Sequence, residues 1–417
     1  MVKKKQTHRP RLEDIIPDED RRKEVIKRLY SGDKLIGKDG IFTDLLQAMV
    51  NASLEGEMDN HLEEEKLNGS SNRRNGHIPK QVRSSGGSLE IQTPRDRNGE
   101  FSPRIIGKWD RELNTGLNDT IISLYARGQS VEDIRYQIRE IYGVEISAGV
   151  ISAVTDRVME ELVSWQQRPL CACYPIVYLD AIHFKVRSDG IFEPRAVYTC
   201  YGMDPDGKRD VLGLYVKESE GARQWGLILE DLKKRGVEDI FIVSVDGLKG
   251  FKEVINEVFP HATVQRCIVH MIRSSTRFVA DKKRREVCAD LKKIYGAENR
   301  INAEMAMDAF ESKWKKTYPE ISRKWRSEWD DLMNFMDFKA DLRRIMYTTN
   351  PVEAVHRIMR KTTKTKNAWT NEKALIKQIY LTLMHNEKSW KRTAFKWSHI
   401  QRDLIDTFGQ RYLKHIE

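Results

Sequence analysis

The chain has 417 residues, 40% hydrophobic and 32% charged, with a formal net charge of +10 and a pI near 9.1. That length calls for two to four domains with at least one sizeable core, and the cationic surplus favours a polyanionic partner, nucleic acid before others. No apolar run reaches the length of a bilayer span, the opening MVKKKQTHRPR lacks the apolar core of a secretion signal, and five cysteines in so long a chain are not a disulfide framework; membrane and secreted classes are disfavoured and a reducing cytoplasm is expected.

Residues 1–36 are charge-rich, with one predicted helix over 21–30. From Ile41 the apolar residues Leu45, Leu46, Met49, Leu54, Met58 and Leu62 recur mostly at three- and four-residue steps, the pattern of an amphipathic helix. Its stripe suits packing on its own domain as well as a dimer contact. Residues 66–116 hold ten Lys or Arg against five acids. Within them SLEIQTPRDRNGEFSPRII alternates like a strand, meets the hairpin signal Asn98-Gly99, and resumes. The spacing predicts a basic hairpin with Arg95 and Arg97 near its tip, within reach of a phosphate backbone; a merely solvated basic hairpin fits the same residues.

Residues 117–168 read as helical. LNDTIISLYARG ends at Gly128, SVEDIRYQIREIYG is capped by Ser130 and Asp133 and stops at Gly143, and SAGVISAVTDRVMEEL starts at Ser147. Three capped helices with tight connections suggest a helix-turn-helix unit, its third helix presenting Ser147, Ala148, Gly149 and Ser152 to a groove.

From Tyr174 the pattern turns to strands. YPIVYLDAIHF, RAVYTCYGMD and DVLGLYVKES are three β-rich runs, the last two joined at DPDG; a helix, the strand DIFIVSVDG, a second helix and the strand ATVQRCIVH follow. The order βββαβαβ predicts a mixed five-stranded sheet, antiparallel at first and then joined through crossover helices. Asp180 lies inside the first strand, on the face of Tyr178 and Ile182. Asp246 ends the fourth. If these strands run side by side and parallel, the two carboxylates meet at the strand ends, where open α/β sheets carry their sites. Two such charges repel, and hard divalent cations, Mg²⁺ or Mn²⁺, relieve the conflict. Each Asp alone is also explained as an Asx turn or a strand-end cap, which for Asp246 before Gly247 is the better account; the pair in this βββαβ frame is what points to a site. A third carboxylate is offered by TTNPVEAVHRIMRKTTKTKNAW: Glu353 falls in the first turn of a helix that Asn350 would cap, which is also a capping-box pattern. Arg357, Arg360, Lys361, Lys364 and Lys366 follow without an intervening acid, a stripe suited to a phosphodiester and equally to a solvated helix end.

The blocks PRDRNGEF, SLYARGQSVEDIRYQIREIYGVEIS, YLDAIHFKVR, VSVDGLKGF, QRCIVHMIRSS and YTTNPVEAVHRIMRK, in this order, resemble the Mutator-like class of bacterial insertion-sequence transposases over roughly residues 40–400. The resemblance implies an RNase H-like DDE catalytic core. It places the catalytic and metal-binding carboxylates on Asp180, Asp246 and Glu353, with two Mg²⁺ or Mn²⁺ ions, and a supporting Cys-x-x-His block on Cys267 and His270. One departure is local: family members often have Ala-Ile-Glu-Ser where this chain has Pro351, Val352, Glu353 and Ala354. The long interval between Asp246 and Glu353 then contains an all-α insertion, with Trp314, Trp325 and Trp329, that packs on the core or touches end DNA. The implied division is 1–65 helical, 66–116 basic hairpin, 117–168 helix-turn-helix, 169–271 catalytic core, 272–345 insertion and 346–417 the rest of the core. The implied partners are double-stranded DNA of element ends and target, and a second copy of the chain in a homodimer. A copying route through a circular intermediate is also implied.

Cys267 and His270 could instead give half of a zinc site completed by Cys171 and Cys173, although Cys-x-Cys is tight and both halves adjoin core strands. His183 falls on the other strand face from Asp180, where a packed, hydrogen-bonded histidine is expected. Two rival functions share these residues: an RNase H-like structure-specific nuclease or resolvase, and a non-catalytic helix-turn-helix regulator derived from a transposase.

Overall fold

The structure, a computed structural model, describes residues 16, 18–35, 37, 40–84, 87–113, 116–188, 190–248, 250–347, 350–364, 366 and 368–416. The opening basic segment read for a secretion signal lies outside them. The chain divides into two compact units, one of Met1–Tyr125 with Gln129–Asp156, the other of Ala126–Gly128 with Arg157–Glu417.

In the first unit, helix α1 (Glu19–Tyr30) is capped by Asp18, whose carboxylate accepts the Arg21 N–H. Helix α2 (Ile41–Leu67) carries the periodic stripe, and its Val50 and Leu54 pack with Val82, Leu89, Ile91 and Ile106. The stripe therefore serves its own unit, although Met49 stays 66% exposed. The partners come from a hairpin, β1 (Arg74–Ser84) and β2 (Gly87–Asp96), paired antiparallel from Arg74↔Asp96 to Ser84↔Gly87. This corrects two expectations. The 1–65 and 66–116 segments share one core and are not separate domains. The hairpin also forms with the strand upstream, so Arg95 and Arg97 stand exposed at its open end rather than at its tip. Asn98-Gly99 does turn the chain, with Gly99 at φ +75°. The residues after this turn cannot resume as a strand, because the buried Asp96 carboxylate takes the N–H groups of Glu100 (3.0 Å) and Phe101 (3.2 Å).

Helix α3 (Leu117–Ala126) is followed by α4 (Val131–Tyr142), which has the expected capping box between Ser130 and Asp133 and ends on Gly143 at φ +63°. The third expected helix is two: α5 (Ala148–Asp156) and α6 (Val158–Gln167) break at Arg157. Thr155 Oγ1 donates back to the Ile151 carbonyl at 2.9 Å, a bond that bends helices, and the units divide at the same point.

The second unit is built on a five-stranded mixed sheet: β3 (Cys173–Ser188), β4 (Ile191–Met203), β5 (Arg209–Lys217), β6 (Asp239–Val245) and β7 (Thr263–Arg266), in the spatial order β5-β4-β3-β6-β7. The first three are antiparallel; β6 and β7 run parallel to β3. Side-chain alternation splits the sheet into two buried faces. Val177, Leu179 and Tyr198 face α7 (Ala222–Lys234) and α8 (Phe251–Val258), around a fully buried Trp225. Emptying that site would cost about 3–5 kcal/mol. Ile176, Tyr178 and Ile182 face the helical layer.

That layer starts with α9 (Ile268–Thr276), α10 (Asp281–Tyr295), α11 (Arg300–Trp314), α12 (Pro319–Ser327), α13 (Trp329–Met333) and α14 (Ala340–Met346). It is helical as expected, but its core is continuous with the sheet face, so it is a layer of this unit rather than a body of its own. Trp314 and Trp325 are buried and donate to Asp290 and Ser275, both at 3.0 Å. Helix α15 (Asn350–Thr363) lies in the same layer, burying Val352, Val355, His356, Met359 and Thr363.

Candidate active site

Strand register brings the two aspartates together. In the parallel β3–β6 pair Leu179 stands opposite Val245, so the next residues stand side by side: Asp180 still inside β3, Asp246 just past the end of β6. Asp180 is buried; its Oδ1 accepts its neighbour Ala181 N–H at 2.9 Å, and its Oδ2 lies 3.2 Å from His356 Nδ1. Burial pushes its carboxyl up, but the His356 hydrogen bond and charge, with His270 and the Ala181 N–H, bring it below the ordinary carboxylate range. Asp246 is half-buried and shifts the other way, through desolvation first and the Asp180 charge second. Its Oδ1 accepts the Leu248 N–H at 3.3 Å, so the Asx turn that would explain it alone is present too.

Glu353 is gripped from a neighbouring helix. Its two oxygens accept from Arg273 Nη1 at 2.6 Å and Nη2 at 3.0 Å, and His270 Nε2 is 3.3 Å from Oε1. Both partners sit on α9, whose N-cap is Cys267, so the Cys-x-x-His block faces α15. The His270 imidazole is pushed up to about 9, first by the Cys267 sulfur beside it and then, against the cost of burial, by the Asp180 and Glu353 charges. Cys173 starts β3 whereas Cys267 follows the far end of the parallel β7, about 20 Å away along the strands, which separates the two halves of the zinc alternative.

The donor chemistry suits a divalent cation at the aspartate pair, where burial and then the Asp180 charge raise Asp246 without a cation between them. Among the described residues no three His, Cys, Asp or Glu side chains converge to hold an ion as they stand. Glu353 is turned toward Arg273 and would have to exchange that partner to join the pair.

Three residues here escape a reading of sequence alone. Arg273 is an ordinary helix cation until α15 faces it. Glu220 sits in the loop before α7, its carboxyl pushed up to about 7 by burial and by Asp246 and Asp180. The loop is pinned at both sides of it: Tyr198 Oη donates to the Ser219 carbonyl at 2.7 Å and accepts the Gly221 N–H at 3.0 Å. His356 is a histidine on a buried helix stripe, which is ordinarily a core residue; its three-residue spacing from Glu353 is the one signal.

The Mutator family of transposases matches residues 20–393. A transposase for insertion sequence element ISRM3 from Rhizobium meliloti (strain 1021) is 40% identical over 94% of this chain and 98% of its own length. The chain belongs to the Mutator transposase family. Another transposase, for element IS905 of Lactococcus lactis subsp. lactis (strain IL1403), is 28% identical over 85% of this chain and 90% of its own. A Drosophila P element transposase strand transfer complex covers 71% of this chain and 87% of its own at 10% identity and a TM-score of 0.29, too distant to bear on this fold.

Around the carboxylates this transposase is cationic. A cavity of about 670 Å³ runs from Asp246, Cys267 and His270 to Arg266, Arg273, Arg277 and Lys324. Arg357, Arg360, Lys361 and Lys364 are exposed along α15; Arg360 and Lys364 line a second cavity of about 500 Å³ with Lys185, Lys366 and His183. His183 is thus exposed at a basic wall, not packed as expected, because β3 runs past the covered part of the sheet there. Ser147, Ala148, Gly149 and Ser152 are exposed at the start of α5 in the first unit. No helix among the described residues is long and apolar enough to cross a membrane.

Proposed function

We propose that this transposase cleaves the DNA strand at insertion-sequence ends and joins it to a new strand by metal-dependent DDE chemistry, on an RNase H-like core. One observation carries the reading: parallel register sets Asp180 beside Asp246, and the helix bearing Glu353 is docked onto Asp180 itself. Asp180 and Asp246 would hold divalent ions, Mg²⁺ or Mn²⁺, with Glu353 joining them. The ions supply Lewis acidity and charge neutralisation for displacement at phosphorus. The residues around them do the rest. Arg273, Arg277 and Lys324 hold phosphates flanking the scissile bond, Arg273 trading Glu353 for DNA. Arg357, Arg360, Lys361 and Lys364 extend that grip along the strand. Water attacks first and the freed 3′-OH second, so no Ser or Tyr nucleophile is required. End recognition falls to the exposed Arg95, Arg97, Ser147 and Ser152, and a homodimer pairing two ends belongs to the same reading.

A strand-transfer assay with linear end DNA and Mg²⁺ tests it. Joined products that depend on the carboxylates support the reading. Hydrolysis without joining would move the protein to the nuclease alternative. End binding that persists with neither reaction would leave a regulator.

A further inference from the structure

We infer that His356 is a positioning residue that fastens the Glu353-bearing helix to Asp180 and fixes the direction in which the Asp180 carboxylate points. The inference rests on the proposed metal role of these carboxylates. The ring is buried, 2% exposed, between two neighbours on adjacent strands. Its Nδ1 is 3.2 Å from Asp180 Oδ2 and its Nε2 is 3.0 Å from Thr199 Oγ1. Asp180 and Thr199 are themselves direct partners across β3 and β4, and Thr199 is fully buried. The imidazole therefore closes a bridge over one rung of the sheet.

The bridge holds in either ionisation state. A neutral ring with its proton on Nδ1 donates to Asp180 and accepts from the Thr199 hydroxyl; a protonated ring donates to both, since a hydroxyl can accept as well. With Oδ1 taken by the Ala181 N–H and Oδ2 by His356, the carboxylate plane is fixed and its remaining lone pairs are aimed together. Partners behind a ligand orient it in this manner. The same contact acts on Glu353. It precedes His356 by three residues on α15, so it lies about one helical turn back on the same side. Fixing His356 against Asp180 thus fixes where Glu353 emerges relative to it.

A core histidine that merely fills space would tolerate any amide of similar size. His356→Asn and His356→Gln separate the roles: Asn carries an N–H at the place of Nδ1 and keeps the Asp180 bond, whereas Gln reaches the place of Nε2 and keeps only the Thr199 bond. Mn²⁺ binding to the full chain, followed by electron paramagnetic resonance, is the readout, with end-DNA cleavage measured alongside. His356→Gln should weaken Mn²⁺ binding by about 10–100-fold, the usual effect of removing a partner behind a ligand, while His356→Asn stays within a few-fold of the parent. Equal losses in both, or parental binding in His356→Gln, would overturn the inference. Should His356→Gln fail to fold, Thr199→Val, which removes only the hydroxyl behind the ring, should weaken Mn²⁺ binding a few-fold, and unchanged binding would count against the bridge. A parent chain that binds no Mn²⁺ would sink the metal reading itself and this inference with it; a parent that binds while the variants bind equally well sinks only this one.

Discussion

Asp180 and Asp246 are set by backbone, Glu353 by side chains. The aspartates follow a paired rung of a parallel ladder, and moving either would break hydrogen bonds inside a buried sheet. Glu353 projects from a helix into the grip of Arg273, whose side chain is 60% exposed, and a pair so open to water is worth about 1 kcal/mol or less. One half of the site is thus rigid in the isolated chain, and the other is held by a contact that an ion or a phosphate can replace. The contrast teaches that a strand end suits a permanent ligand pair, whereas a helix surface suits a ligand that changes partner during a reaction.

The largest effects should ignore this contrast. Asp180→Asn, Asp246→Asn and Glu353→Gln should each reduce end cleavage by about a thousandfold, in the range of ~4 kcal/mol that one lost electrostatic element of a transition state costs. End binding in gel shifts should be nearly unchanged. Cleavage by Glu353→Gln above a tenth of the parent rate would leave the aspartates as a site without the helix. Next in size is the stripe beyond Glu353. Arg360→Ala with Lys361→Ala should reduce strand transfer about tenfold at saturating end DNA, because misplacing a phosphate raises the barrier as well as weakening affinity. An unchanged saturated rate would make the stripe surface charge. A smaller effect tests the exchangeable half directly. Removing the ~1 kcal/mol contact by Arg273→Ala should strengthen Mn²⁺ binding about fivefold, as Glu353 no longer has to leave a cation. Weaker binding would mean that Arg273 shapes the site rather than competing for it.

The same division decides what was legible in the sequence. The βββαβαβ order and the meeting of Asp180 with Asp246 follow from β-rich runs, turn residues and the rule that sites gather at parallel strand ends, all local signals that tertiary packing reinforced. Glu353 was legible as a carboxylate whose capping-box spacing explained it without catalysis until the basic residues behind it tipped the balance, but its partner Arg273, 80 positions away, was not legible. Beyond its spacing from Glu353, His356 gave no signal, for a related reason: it occupies an apolar position of its helix, and its partners Asp180 and Thr199 lie on strands far along the chain. Asn98-Gly99 misled because the turn is real; the side chain of Asp96 then captured the N–H groups a returning strand would need, and the polar RNGHIPKQVRS upstream, with little alternation to announce it, became the partner. The boundary at Arg157 had no local breaker such as Gly or Pro.

The smallest expected effect concerns the charge left between the two halves before an ion binds. Glu220 is raised by burial and then by Asp246 and Asp180, to about 7 from an ordinary 4.5, while Trp225 and His270 pull it slightly back. The folded chain therefore holds a proton there that the unfolded chain releases between these values. The contribution of Glu220 to the stability of the metal-free protein is fullest below about pH 4.5 and declines as pH rises through 7. Asp246 is raised as well and contributes with the same sign just above the ordinary Asp range. Asp180 is lowered, so its contribution is lost only as pH falls below that range and does not overlap. His270, raised to about 9, loses its stabilising proton in a later window, from 6.5 upward. Thermal unfolding of the metal-free chain between pH 4.5 and 7 should thus show a falling midpoint, and Glu220→Gln, which cannot ionise, should flatten that slope by a few degrees without altering the decline above pH 7. Saturating Mn²⁺ should partly flatten the parent curve too, since a cation between Asp180 and Asp246 removes the repulsion that adds to burial in raising Glu220. If Glu220→Gln unfolds with the parental slope, the carboxylate is turned to solvent and the aspartate pair carries its mutual repulsion alone.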